Sequence, residues 1–370
     1  MNKPLRLLAI SPIPPEGAGC RFRVMQYVPA LEAAGFSVTV APFFDTAFFR
    51  RVYRKGHYLA KLGGFLRQSL ARLKLLLSRH DYDAFFVYRE AYPFGPPLFE
   101  RMLASNGKPL IYDFDDAVYL NNTSEANKFV AVLKYPQKVP SILRHSTLVL
   151  AGNGHLADYA RTYNGSVTVL PTCVDTAVWV PRTAPRRAGA PLVIGWIGTP
   201  TTAQYLKSLG PVLARVAAKH DFVLRVSGSG EPIDIPGVKT VNEPWSLERE
   251  VELFNTCDIG VYPLPDDEWA RGKCGFKAIQ FMSCGVPVVA AAVGVNREII
   301  QDGVNSFLAS DEREWIERLE RLLDDEALRR RLGESGRKTI EERYSLSVHA
   351  PKLASMVRDA VSHADRSARS

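Results

Sequence analysis

The chain has 370 residues, 46% hydrophobic and 23% charged, an ordinary globular mixture long enough for two domains with cores of their own. No run of about 18 apolar residues occurs, which argues against a membrane-spanning helix, and the scattered, odd-numbered cysteines (Cys20, Cys173, Cys257, Cys274, Cys284) predict reduced thiols in a cytoplasmic protein. The net charge of +8 is lopsided: residues 1–80 hold thirteen Lys/Arg against three Asp/Glu, which predicts an acidic partner, whether anionic lipid, nucleic acid or a phosphorylated acceptor.

Leu5–Ile10 reads as a first strand, since the apolar run is too short for a signal segment and no Ala-x-Ala follows. A Pro/Gly loop to Arg23 comes next, then a helix from Arg23 to Ala34 closed by Gly35, and a second strand at Phe36–Pro42. Leu62–Leu77 is a basic amphipathic helix. Either it lies on an anionic membrane, or it buries its leucines on the sheet and solvates its arginines. Ala84–Tyr88, Leu110–Tyr112, Leu148–Leu150 and Val167–Leu170 are short apolar strands of a parallel sheet covered on both faces.

The Pro/Arg-rich stretch 181–191 predicts a linker, after which the alternation restarts. Strands are expected at Leu192–Trp196, Phe222–Val226, Ile259–Tyr262 and Val286–Ala292, with helices at Ser246–Asn255, Glu314–Leu323, Glu326–Arg343 and Val348–Val361. The predicted fold is therefore α/β, two doubly wound, Rossmann-like parallel-sheet domains. Their expected bounds are 1–180 and 192–345, with a C-terminal helix near 346–362 packing back on the first.

Chemistry concentrates in Gly272–Ala290, a glycine-broken basic loop, a short helix and a Gly-Val-Pro turn into a strand. Backbone N–H groups and a helix N-terminus favour an anion there, and Arg271, Lys273 and Lys277 add charge suited to a diphosphate. Gly195–Thr202 and Arg225–Gly230 are two further glycine loops after strands, each by itself as readily a turn as a site. The loop Ser11–Arg23, with Gly17, Gly19, Arg21 and Arg23, is a weaker signal because it lacks Gly-x-Gly-x-x-Gly spacing. Asp113, Asp115 and Asp116 follow an apolar strand. They read as an Asp-x-Asp metal site, a phosphatase nucleophile backed by Asp266-Asp267, or polar lining of a sugar pocket; a helix cap or an ion pair with Arg89 are the structural alternatives. No Cys/His metal cluster is visible.

Four stretches resemble the large family 4 ("group 1") class of retaining GT-B glycosyltransferases: Val169–Thr176, Val226–Gly230, Phe281–Ala290 and Gly294–Leu308. The resemblance covers about residues 148–345 well and the first domain only in outline. It implies a nucleotide-sugar donor (UDP-, GDP- or dTDP-linked) and a glycan or lipid-linked acceptor. It further implies transfer with retained configuration. The cations of 271–277 would make a divalent metal dispensable, so no cofactor is expected; no nucleic-acid partner is expected either, and the basic first domain points to a cytoplasmic place at the inner membrane face.

The family's two glutamates eight apart fall on Gly272 and Gln280, and Thr199 stands where its diphosphate arginine is expected. Glu268 is then the carboxylate expected to replace the first glutamate, with Arg271, Lys273 and Lys277 as the relocated cations. Catalytic places go to Lys273, Arg271, Glu268 and Asp115. Donor contacts go to Gly19, Gly198, Thr199, Gly228, Gly275, Phe276, Lys277 and Gln280, and acceptor contacts to Arg21, Asp113 and Asp116. A sugar-nucleotide epimerase on the same scaffold and a non-catalytic nucleotide-sugar or lipid binder are the alternatives.

Overall fold

The computed structural model describes residues 3–52, 56–120, 135–183 and 189–367. Within the expected linker 181–191, residues 184–188 lie outside that set. The chain divides into two compact units, residues 1–172 with 349–370, and residues 173–348.

The first unit is built on β1 (Leu5–Ser11), β2 (Phe36–Pro42), β3 (Ala84–Tyr88), β4 (Leu110–Phe114), β5 (Leu148–Ala151) and β6 (Val167–Val169), all parallel, in the order β2-β1-β3-β4-β5-β6. Every residue of β3 and β4 is buried, as expected of strands covered by helices on both faces. The second unit holds β7 (Leu192–Ile197), β8 (Phe222–Ser227), β9 (Lys239–Glu243), β10 (Ile259–Tyr262), β11 (Val288–Ala291) and β12 (Phe307–Ala309), again all parallel, in the order β12-β11-β10-β7-β8-β9.

Three expectations change. The single helix Arg23–Ala34 is two, Ala18–Arg23 and Val28–Ala33, joined by one 3-10 turn at Met25–Tyr27. Pro29 explains the restart: it has no N–H and its ring clashes with a carbonyl one turn back, so it is tolerated only at a helix start. The unit boundary falls at 172/173, not 180/181. Residues after Cys173 are tied to the second unit because the Trp179 ring packs edge-on against Phe254 at 5.3 Å. Arg337 also donates to the carbonyls of Thr176 and Ser283, each at 2.7 Å.

The third change concerns the basic helix, which spans Tyr58–Leu77. It turns its polar and aromatic side inward. Arg72 is buried and donates to the Ala41 carbonyl at 3.0 Å, Ser69 bonds the Tyr92 hydroxyl at 2.9 Å, and Phe65 packs on Phe43, Tyr92 and Phe94. Leu59, Leu62, Leu66, Leu70, Leu73 and Leu77 face out, while Leu76 is buried. Of the two readings weighed for this helix, the one that buries the leucines and solvates the arginines fails at those six leucines and at Arg72.

Candidate functional site

A doubly wound sheet opens a crevice where loops from neighbouring strands leave in opposite directions beyond the carboxyl ends. In the second sheet that point lies between β7 and β10, with the loops after β8 and β11 on either side.

In the loop after β10, Asp267 Oδ1 accepts the Ala270 N–H at 2.7 Å and caps the single turn Glu268–Arg271. Glu268 is exposed there. Arg271, also exposed, donates from Nε to Asp266 Oδ1 at 2.7 Å; that hydrogen bond holds the Asp266 carboxyl below the usual range and raises Arg271 further. Lys273 lies over the Trp269 ring, its Nζ 5.2 Å from the centroid.

Gly275 then takes a left-handed backbone (φ +64°) and opens the helix Phe276–Ser283. A Cβ at Gly275 would lie 2.3 Å from Ile299 Cδ1 and 3.1 Å from Asn296 Oδ1, so conformation and space both demand glycine. The loop after β11 presses on the other end too: a Cβ at Gly294 would lie 3.1 Å from Arg271 Cα. Asn296 is buried, donates to the Ala291 carbonyl at 2.9 Å, and keeps a buried Oδ1 with no hydrogen-bond partner among the described residues.

Inside the helix, Lys277 Nζ donates to Gln280 Oε1 at 2.7 Å and sits 5.2 Å from the Phe254 ring centroid. Gln280 Nε2 donates in turn to Glu250 Oε1 at 3.4 Å. Gln280 is wholly buried, its side-chain amide held between Lys277 and Glu250. Glu250 escaped the sequence reading. The available signal was its place one turn before Leu253 and Phe254 on the face that the helix Glu250–Asn255 buries.

After β7 and β8, Gly198 and Gly228 abut. A Cβ at Gly228, itself left-handed at φ +81°, would lie 2.4 Å from the Gly198 carbonyl oxygen. Thr199 is exposed, its N–H bonding Thr202 Oγ1 at 3.0 Å in a side-chain-closed turn. The structure thus gathers Arg271, Lys273, Gly275, Phe276, Lys277 and Gln280 in one loop and helix, and sets Gly198, Thr199 and Gly228 on the same sheet edge.

The first unit treats its predicted residues differently. Asp113 is wholly buried and grips Arg23 through both oxygens, with Arg23 Nε at 2.9 Å; Arg23 also donates to the Leu170 carbonyl at 2.8 Å. Burial opposes the charge on Arg23, and Asp113 keeps it protonated. Asp115 Oδ1 accepts from the Tyr88 hydroxyl at 2.8 Å and from Arg89 Nε at 2.9 Å, while Asp116 pairs with Arg89 as well. Burial would raise the Asp115 carboxyl, but Arg89 and Tyr88 hold it below its usual range.

Arg89 has φ +59°, a conformation that a non-glycine residue keeps only when its surroundings insist. Asp113 and Arg23, and Asp115 and Asp116 with Arg89, thus tie the carboxyl edge of the first sheet together through ion pairs; Arg89 is the partner that the structural alternative named. Gly19 is required by packing: a Cβ there would lie 2.1 Å from the Tyr88 hydroxyl. Arg21 lies over the Phe22 ring at 4.5 Å. Among the described residues no group of three or more His, Cys, Asp or Glu is placed to hold a metal ion.

Residues 191–325 match the family described as "Glycosyl transferases group 1". The D-inositol 3-phosphate glycosyltransferase of Stackebrandtia nassauensis is 29% identical over 234 residues, which cover 56% of this chain and 52% of that protein. Its namesake from Mycolicibacterium smegmatis is 26% identical over 229 residues, 61% of this chain and 50% of that protein. The chain thus spans about half the length of these curated relatives. Among solved structures, HepE of Anabaena in complex with UDP and glucose aligns with a TM-score of 0.68 at 16% identity, covering 96% of this chain and 100% of that one. Sucrose-phosphate synthase of Thermosynechococcus elongatus gives 0.68 at 16% identity over 97% and 100% of the two chains. The fold of the chain is GT-B.

Proposed function

We propose that this chain, whose second unit carries the match to the group 1 glycosyl transferases, moves a sugar from a nucleotide-sugar donor to the hydroxyl of a glycan or lipid-linked acceptor. The observation that carries the reading is a lysine held beside a glycine-opened helix start at the switch point of the second sheet. The donor diphosphate lies against Gly275 and Phe276, with Lys273 and Lys277 as its cations and Arg271 at the rim. Breaking the bond from C1 leaves negative charge on the nucleoside diphosphate. Cations and oriented amides already in place stabilise that charge without reorganising, which is commonly the largest catalytic contribution. The departing phosphate takes the acceptor proton, and the new bond forms on the face it leaves, so the anomeric configuration is retained. These cations do the work otherwise given to a divalent ion, and turnover persists in EDTA.

The UDP bound in HepE makes UDP the first carrier to try. In a thermal-shift series with UDP, GDP and dTDP, one nucleotide raises Tm in a concentration-dependent way, as a ligand of the folded state must. Lys273→Ala removes that rise and lowers transfer at least about tenfold, the usual scale for losing one charged donor. A Lys273→Ala protein that binds and turns over normally on a confirmed donor would sink the placement of the phosphates. Release of free nucleoside diphosphate without any acceptor would favour the epimerase instead.

A further inference from the structure

Six leucines of the helix Tyr58–Leu77, namely Leu59, Leu62, Leu66, Leu70, Leu73 and Leu77, are each between 45% and 86% exposed. Their spacing of three and four residues puts them on one face, in a row about 27 Å long at the α-helical rise. The opposite side is fixed to the first unit through Phe65, Ser69 and Arg72. The helix therefore cannot roll its leucines inward without breaking those contacts and exposing a buried guanidinium.

The charges beside the row narrow its partner. Tyr58–Leu77 contains no Asp or Glu. Arg67 and Lys74 are exposed alongside the leucines. Arg50 and Arg51 are exposed on the neighbouring helix Thr46–Val52, which packs so closely that a Cβ at Gly64 would lie 2.4 Å from the Phe48 ring. Asp45, bonded to Arg67, is the nearby acid. A second copy seated row on row would set cations against cations with no acid on either helix to answer them. A bilayer with anionic headgroups accepts both features at once, leucines below the headgroups and cations among them. Spanning is excluded for this helix, since no described helix is long and apolar enough to cross a membrane.

We infer that the leucine face of the helix Tyr58–Leu77 lies in the plane of an anionic lipid surface and holds the first unit there. Full-length protein floats with vesicles of phosphatidylcholine mixed with phosphatidylglycerol, and floats much less with phosphatidylcholine alone or at high salt. Leu66→Gln with Leu70→Gln lowers the bound fraction roughly tenfold, and Arg67→Gln with Lys74→Gln lowers it and flattens the salt dependence. Far-UV circular dichroism and Tm check that the variants stay folded. As a measurement independent of vesicle affinity, Leu66→Cys is labelled with an environment-sensitive dye, whose emission rises and shifts to the blue on anionic vesicles. Flotation unchanged by the leucine variants overturns the inference, as does a dye that stays wet on vesicles that capture the protein. A wild type that ignores vesicles but sediments as a dimer, turned monomeric by Leu66→Gln with Leu70→Gln, overturns it in favour of a second copy.

Discussion

At the scale of the residue, the second unit offsets much of its own positive charge. Asp266, Asp267 and Glu268 stand against Arg271, Lys273 and Lys277 within twelve residues, so what matters is where each charge is held. Asp267 is committed to a helix cap and Asp266 to Arg271. The Arg271 pair is exposed, and such pairs contribute little because water and salt screen them. Asp266→Asn should therefore change nucleotide affinity by no more than roughly threefold.

Gln280 is another matter, because it is buried between Lys277 and Glu250. Gln280→Ala strands two groups, and an unsatisfied buried polar group costs about 1–3 kcal/mol. The expected result is a lower urea midpoint together with roughly tenfold weaker donor binding, since Lys277 loses the contact that aims it. Isothermal titration with the confirmed nucleotide reads the second effect. Weakened stability with unaltered affinity would make Gln280 merely structural. The sequence placed Gln280 on this helix but did not show its partners, Lys277 and Glu250. An eight-residue helix that buries six residues has almost no polar face to reveal which side looks at a ligand.

Among the elements, the helix Phe276–Ser283 is supported from behind by the helix Glu326–Arg343. The contact is made through glycine, since a Cβ at Gly333 would lie 2.1 Å from the Gly285 carbonyl oxygen. Gly333→Ala sets two effects against each other. Alanine improves helix propensity by about 1 kcal/mol. Forcing a methyl into backbone costs about 1–3 kcal/mol, and neither backbone here ends in a side chain that can swing away. Net destabilisation by a kcal/mol or so is expected in urea titration; a variant as stable as the parent would mean the helices separate freely.

Central elements were the most legible from sequence, because buried parallel strands are continuous apolar runs: β10 matches its expected bounds, and β1 and β3 match within a residue. Edges were not. β9 (Lys239–Glu243) has no buried residue and reads as a loop. In the helix Tyr58–Leu77, expected over Leu62–Leu77, the covered face was hidden for a different reason. Periodicity locates an apolar face without saying what covers it, and here Phe65 and Arg72, packed about Phe43, claim the inner side. The carboxylates of the first unit show the same limit, since nothing in the spacing of Asp113, Asp115 and Asp116 tells an ion pair from a ligand site.

Across the whole molecule, both units bury reduced thiols, and this gives the chain a pH limit. Cys20 lies in the first unit and Cys173, Cys257, Cys274 and Cys284 in the second, all buried and none in a disulfide. Burial pushes the Cys20 thiol up to about 11, and those of Cys257 and Cys284 up to about 12. An unfolded thiol ionises near 8.5. The folded state therefore holds these protons more tightly than the unfolded chain. The stability they lend is complete below pH ~8.5 and is lost as the pH climbs toward the folded values, by up to ~1.4 kcal/mol per pH unit for each thiol. Tyr88 and Tyr112, also raised by burial, act in the same direction above pH ~10.

Two measurements follow from the same cause. At pH near 8 the native protein should yield less than one equivalent of thiol to a disulfide reagent, and all five cysteines once unfolded. The urea midpoint should fall steadily from pH ~8.5 to pH ~10.5, and the fall should be shallower in Cys257→Ala, because one of the titrating groups is gone. Cys257 is the informative choice, since its sulfur packs where a Cβ at Gly195 would come within 2.1 Å, on the central strand β7. A flat midpoint over that range, or rapid modification of the folded protein, would mean that the interior of the second unit opens to water far more often than its packing allows.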